Sequence, residues 1–234
     1  MQNNNKTIDS YQKIFNDVGV SLDLVIQKAL ENVIWIEEPS VQIEWESLKD
    51  RMRNKAEVFV RNHGRNGSGK DDLLKILSDI FNKDFNIDPS NNNKPSSLLR
   101  TCILSKNNLE IQNYQVSHIF EERTNNPYLF TAPWMVCYTP KILDPFTGHE
   151  SKGYDWVREQ FIDAASKKFD KYIIEYNKII QEYWGKLHTL YNHTQSYDKF
   201  QKHMIVTLSP IIIDFEKKSQ RERVESYIKE FNKL

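Results

Sequence analysis

The sequence predicts an α+β fold, mostly helical, built around one small two-stranded unit. Three features predict it. Residues 156–187 place Phe161, Phe169, Tyr172, Ile173, Tyr176 and Ile180 at spacings of three and four, the period of a helix with one apolar face. Residues 109–121 alternate instead, with Ile111, Val116, His118 and Phe120 among polar neighbours, as a strand does. Residues 134–138 offer a second strand, and a loop rich in turn residues follows it over 140–153.

The other elements follow in chain order. Residues 10–29 carry Ile14, Phe15, Val18, Leu22, Val25 and Ile26 at helical spacing, and Gly19 divides the run. Residues 33–36 are a short apolar run ended by Pro39. Trp45, Leu48, Met52 and residues 58–60 continue as a helix towards Arg61. Residues 62–69 are a loop containing Gly64, Gly67 and Gly69. Residues 71–81 form a helix with acidic residues at its start, where the helix dipole favours them. Residues 88–96 are a polar turn or linker, 97–104 a short helix and 123–127 a turn. Residues 204–215 hold Pro210 and two β-rich runs. Residues 216–234 form a charged terminal helix with Val224, Tyr227, Ile228 and Phe231 on one face. A subdomain boundary falls near Asn91. Residues 1–90 form a helical N-terminal part, and residues 91–234 carry the two-stranded unit and the C-terminal helices.

Composition restricts the function classes. Thirty-two basic residues balance 32 acidic ones, so bulk positive charge does not drive contact with nucleic acid. A local basic groove is compatible with that balance, and a site-specific enzyme needs no more. Apolar residues at 39% and charged residues at 27% place the chain among globular proteins rather than disordered ones. Cys102 and Cys137 form no C-x-x-C pair, which argues against a thiolate zinc site, and both are expected to stay reduced. No run approaches the ~20 apolar residues of a membrane span. The expectation is a soluble, cytoplasmic protein with no membrane partner.

The residue types that carry chemistry concentrate between positions 113 and 153. His118 closes the stretch Tyr114-Gln115-Val116-Ser117-His118-Ile119. Asn125-Asn126-Pro127 and Ala132-Pro133-Trp134-Met135 follow, and then Asp144-Pro145-Phe146-Thr147-Gly148-His149-Glu150. This segment resembles the HNH nucleases of the ββα-metal fold, in particular the HNH proteins related to type II restriction enzymes.

The resemblance implies a small ββα-metal finger in a mostly helical chain. It implies an endonuclease of restriction or other defence type that uses Mg²⁺ or Mn²⁺ to hydrolyse phosphodiester bonds in double-stranded DNA. His118 would be the general base and His149 a metal ligand, with Asp144 or Glu150 giving an oxygen or a supporting hydrogen bond. Two positions depart from the family pattern. Ser117 stands where an acidic metal ligand is usual, and a hydroxyl is a poorer Mg²⁺ ligand than a carboxylate. Met135 stands where an asparagine orients the base imidazole, a role for which Asn126 in the hairpin turn is the first replacement and Asn125 the second. Met135→Asn is expected to speed a slow enzyme if the backbone there matches the finger. Arg123, Lys141 and Lys152 are placed where phosphates would pass, and Arg61 and Arg65 in the glycine-rich loop suit a groove reader. The departures leave a second reading, a non-catalytic DNA-binding or assembly protein on the same scaffold.

A third reading comes from Gly64-x-x-x-x-Gly69-Lys70, which matches a phosphate-binding loop, with 211–214 posing as the partner acidic strand. Asp71 opposes it, because a carboxylate stands where the metal-binding hydroxyl belongs. His188, His193 and His203 share no helical face and read as surface residues. The long aromatic helix reads as core or as a homodimer interface.

Overall fold

The computed structural model describes residues 9–54, 56–64, 69–147, 154–191, 194 and 196–234. Helix α1 (Ser10–Asp17) starts where the Asp9 carboxylate accepts the Gln12 N–H at 2.9 Å. Gly19 has φ +73°, a conformation glycine adopts without strain, and the chain turns there into α2 (Leu22–Glu31), capped by Ser21. The break expected at Gly19 is present. Strand β1 (Ile34–Trp35) follows, and then α3 (Glu38–Arg53), which carries Pro39 in its first turn where no N–H is missed. Residues 58–60 do not prolong that helix. They form β2 (Phe59–Val60), paired in parallel with β3 (Asn86–Ile87) across α4 (Lys70–Phe81).

The polar stretch 88–96 is less of a linker than its composition implies. The buried Asp88 carboxylate accepts the N–H groups of Ser90, Asn93 and Lys94 at 2.7–3.0 Å. Those bonds start α5 (Asn93–Leu99) four residues before the expected helix, and the chain continues as a π-helical segment, Arg100–Ser105. Strand β4 (Tyr114–His118) and strand β5 (Val136–Pro140) pair antiparallel, with His118 opposite Val136. The expected two-stranded unit is thus present, and β1 adds a third strand on the far side of β5.

After the short α6 (Asp144–Thr147) runs α7 (Asp155–Tyr191), kinked at Phe169 (φ −119°, ψ 19°). It is the helix that the period of three and four predicts. Its apolar face supports the rest of the core: Trp35 stacks on Phe161, and Trp134 packs on Tyr176. The chain ends in α8 (Lys199–Thr207), α9 (Ile213–Glu216) and α10 (Gln220–Phe231). Residues 204–215 are therefore helical at both ends, not β. Met204, Ile205 and Val206 are all buried, which hides the helical period that would have marked them. Residues 211–214 form no acidic strand.

The protein is thus a mostly helical α+β fold. The boundary drawn near Asn91 cuts across a shared core. Trp45 of α3 meets Trp134 edge-on at 5.6 Å and donates its indole N–H to Glu175 of α7 at 2.7 Å. Glu175 also pairs with Lys49. Among the described residues no helix is long and apolar enough to cross a membrane.

Candidate active-site cleft

Strand β4 delivers His118 to its C-terminal end, and the ladder holds it there. Ile119 N–H donates to the Met135 carbonyl at 2.9 Å, so the pairing with the β5 side extends one residue past His118. The imidazole lies parallel to the Phe130 ring, with centroids 5.8 Å apart, and its Nε2 sits 3.2 Å from the Phe130 carbonyl oxygen. A carbonyl only accepts, so Nε2 carries the proton and Nδ1 keeps its lone pair. Burial, opposed by the Phe130 carbonyl and aided by the Arg61 charge, pushes His118 down from 6.5 to about 4. At neutral pH the ring is uncharged and able to accept a proton.

His118 lines a cleft of about 500 Å³ whose walls also bring Arg61, Gln115, Ser117, Glu121, Asp144 and His203 together. Asp144 accepts the Gln115 side-chain N–H at 3.0 Å. Ser117 is bonded to Thr139 through its hydroxyl at 2.6 Å. Three of the residues singled out in the sequence, His118, Asp144 and Arg61, thus meet in one place although they span 83 positions from Arg61 to Asp144.

The others do not. Arg123 is wholly buried and is not a phosphate contact. Its guanidinium bonds Glu216 at 2.8 and 3.1 Å, the Val206 and Ser209 carbonyls at 2.7 and 2.6 Å, and lies over the Tyr227 ring. A charged residue beside a turn reads as solvated in the sequence, and only the C-terminal helices reveal its partner. The Asn126 side chain bonds elsewhere than at His118: its amide donates to the Tyr176 hydroxyl and the Thr207 carbonyl, and its oxygen accepts the Tyr128 N–H, so both its donors are spent on structure. The Phe130 carbonyl takes the orienting role expected of it. Met135 is fully buried in the turn before β5. Lys141 is exposed and outside the cleft walls. His149, Arg65 and Lys152 lie outside the described residues.

The sequence reading missed His203. It is half-buried, and its ring stacks on His63 with centroids 4.4 Å apart and an interplanar angle of 29°. Its Nε2 donates to the Asn125 side-chain oxygen at 2.9 Å. The Asn125 amide in turn donates to the Arg61 carbonyl. Burial pushes His203 down to about 4 and holds His63 below its ordinary value. No spacing in the chain links positions 63, 125 and 203, so no local signal could have found this cluster.

A family model described as "Uncharacterised protein PM1201" matches residues 36–233, a span that contains the whole cleft. The chain belongs to the PM1201 family. A relative of the same description from Pasteurella multocida (strain Pm70) is 40% identical over 178 residues, which cover 75% of this chain and 80% of the relative. No solved structure matches the chain at a significant level. Among the described residues, carboxylates are the only acidic oxygen donors that the lining of this cleft offers. The acidic side chains in the cleft, Asp144 and Glu121 among them, supply oxygen, the ligand type Mg²⁺ and Mn²⁺ prefer. Among the described residues no group of three or more His, Cys, Asp or Glu side chains converges as a preformed metal cage. A Mg²⁺ site needs none, since that ion keeps several waters and shares substrate phosphate oxygens.

Proposed function

We propose that this protein is a divalent-metal-dependent DNA endonuclease of HNH type, with His118 as general base. The observation that carries the reading is the state of His118. It ends a strand at the wall of a cleft, its Nε2–H is fixed on the Phe130 carbonyl, and its free Nδ1 lone pair is neutral at pH 7. Neutrality with an unprotonated ring nitrogen is what a general base needs; the lowered pKa weakens it as a base, and a phosphate bound beside it would have to raise it. Arg61 lines the same cleft and supplies positive charge for a phosphate. Asp144, with Gln115 bonded to it, is the described residue that would hold Mg²⁺ or Mn²⁺, and the resemblance adds His149. The ion, when bound, supplies charge to the phosphate oxygens as negative charge builds there.

The test is nicking of supercoiled plasmid by the full chain with Mg²⁺ or Mn²⁺, beside His118→Ala and an EDTA control. Metal-dependent nicking lost in His118→Ala supports the reading. Nicking that survives in His118→Ala, or none at all with either metal, removes it. A non-catalytic DNA-binding protein on the same scaffold then stands if the chain still retards duplex DNA.

A further inference from the structure

A second hollow of about 580 Å³ adjoins the His118 cleft, and Glu122, His203 and Gln220 line both. Its floor is the His63–His203 stack, with the Phe200 ring edge-on to His63 at 5.3 Å. Val206 and Val224 add apolar wall, and Lys199 and Lys202 stand exposed in its lining. We propose that this hollow holds one unstacked nucleobase of the substrate strand, its flanking phosphates against Lys199 and Lys202, beside the phosphate cleaved at His118. The proposal rests on the nuclease reading of the cleft for its substrate class, and on separate residues for its site.

The floor is built and not incidental. Gly69 makes room for it: a Cβ there would lie 2.6 Å from His63 Cδ2. The glycine that looked like part of a phosphate loop instead seats an imidazole. His203 is fixed from its other edge by Asn125. The two stacked rings line the hollow, and burial shifts both towards the uncharged form, so the lining offers aromatic surface more than charge to a base. Bases stack on such rings without regard to sequence, which suits a strand passing through. The volume falls in the range of about 300–1,000 Å³ typical of small-ligand pockets. Charge favours a phosphate neighbour. The Glu122 carboxylate is taken up by Arg223 at 2.9 and 3.2 Å, which leaves the two lysines to set the sign. Gln220 offers both a donor and an acceptor to a base edge.

The experiment measures binding of a fluorescein-labelled single strand to the full chain by anisotropy, in EDTA so that nothing is cut. A second strand carries 2-aminopurine at successive positions, and a third carries an abasic site. The expected result is a 2-aminopurine signal that changes at one position on binding, and an affinity about tenfold lower for the abasic strand, in keeping with one stacked base. Phe200→Ala and Gly69→Ala, each checked for native circular dichroism, should show the same loss on the intact strand and none on the abasic one. Equal affinity for intact and abasic strands, or variants that weaken both alike, overturns the proposal. A mononucleotide such as dAMP that competes as well as the strand does would also overturn it, since the site would then serve free nucleotide. The two readings fail separately. Plasmid nicking without base-dependent binding leaves the nuclease and removes the hollow; base-dependent binding without nicking does the reverse.

Discussion

Arg123 and Glu216, 93 positions apart in the chain, meet at 2.8 Å, and both side chains are almost wholly removed from solvent. The pair joins the turn after β4, next to His118, to the C-terminal helices. Tyr227 donates its hydroxyl to the same carboxylate oxygen at 2.9 Å. Removing one partner strands the other as a buried charge. Arg123→Met is therefore expected to cost roughly 3–5 kcal/mol of stability. Urea denaturation of the variant beside wild type measures it. A midpoint within error of wild type would show that the pair is replaceable and that the helices dock without it.

The second expectation is a stability that falls with acid. His118 is about 4 in the fold against 6.5 in an unfolded chain. Its folded value is lowered, so the unfolded state takes up the proton first. Its contribution is nil above about pH 7, turns unfavourable as pH falls through 6.5, and is fully felt below about 4. The loss amounts to roughly 3 kcal/mol over that window. Denaturation midpoints at pH 7.5, 6 and 5 should drop more in wild type than in His118→Gln. If the two curves run parallel, His118 titrates near its ordinary value and is less buried than it stands here.

Under the proposed function the same group should set the acid limb of cleavage. A base that must be neutral loses activity only when pH drops through its own pKa. The limb should therefore centre at about pH 4, not 6.5, in kcat/KM for plasmid nicking. A midpoint at 6.5 or above would assign the limb to another group.

Asn126 and Met135 separate a positioning role from a structural one. Asn126→Ala removes both donors from Tyr176 and Thr207 and leaves the Tyr128 N–H unpaired, at an expected cost of about 2–4 kcal/mol. Met135→Asn puts an amide into a fully buried site, so it is expected to destabilise by about 1–3 kcal/mol and not to raise the cleavage rate. Thermal melts run beside nicking rates decide this. A faster Met135→Asn enzyme would mean that the side chain at 135 reaches the imidazole during turnover.

Much of the fold was legible because its periods are clean. Helices α4, α7 and α10 each keep one apolar face, and β4 alternates until His118, so local pattern and final packing agree. Legibility stops where burial is complete. In α8 the consecutive buried residues Met204, Ile205 and Val206 hid the helical period, although Asp198 and Gln201 spell a capping box that marks the start. The site divides the same way. Residues 113–144 place His118 and Asp144 by local order, whereas Arg61 and His203 reach the cleft only through tertiary contacts. Arg123 shows the converse: its charge suggested water, and its partner Glu216 lies 93 positions on, at the start of the terminal helix the sequence predicted, where no local pattern pairs the two.

The three-stranded sheet also constrains how the chain assembles over time. Strand β5 lies in the middle, yet it is made last, after β1 and β4. Ile34 must wait for Tyr138, roughly a hundred positions later, and at about 5–20 residues per second of synthesis that is on the order of 5–20 s. For that interval β1 has no strand to pair with, and the aromatic side chains of the first third of the chain are without Trp134 and α7. The emerging chain therefore keeps apolar surface uncovered until β5 and then α7, which ends at Tyr191, have been made.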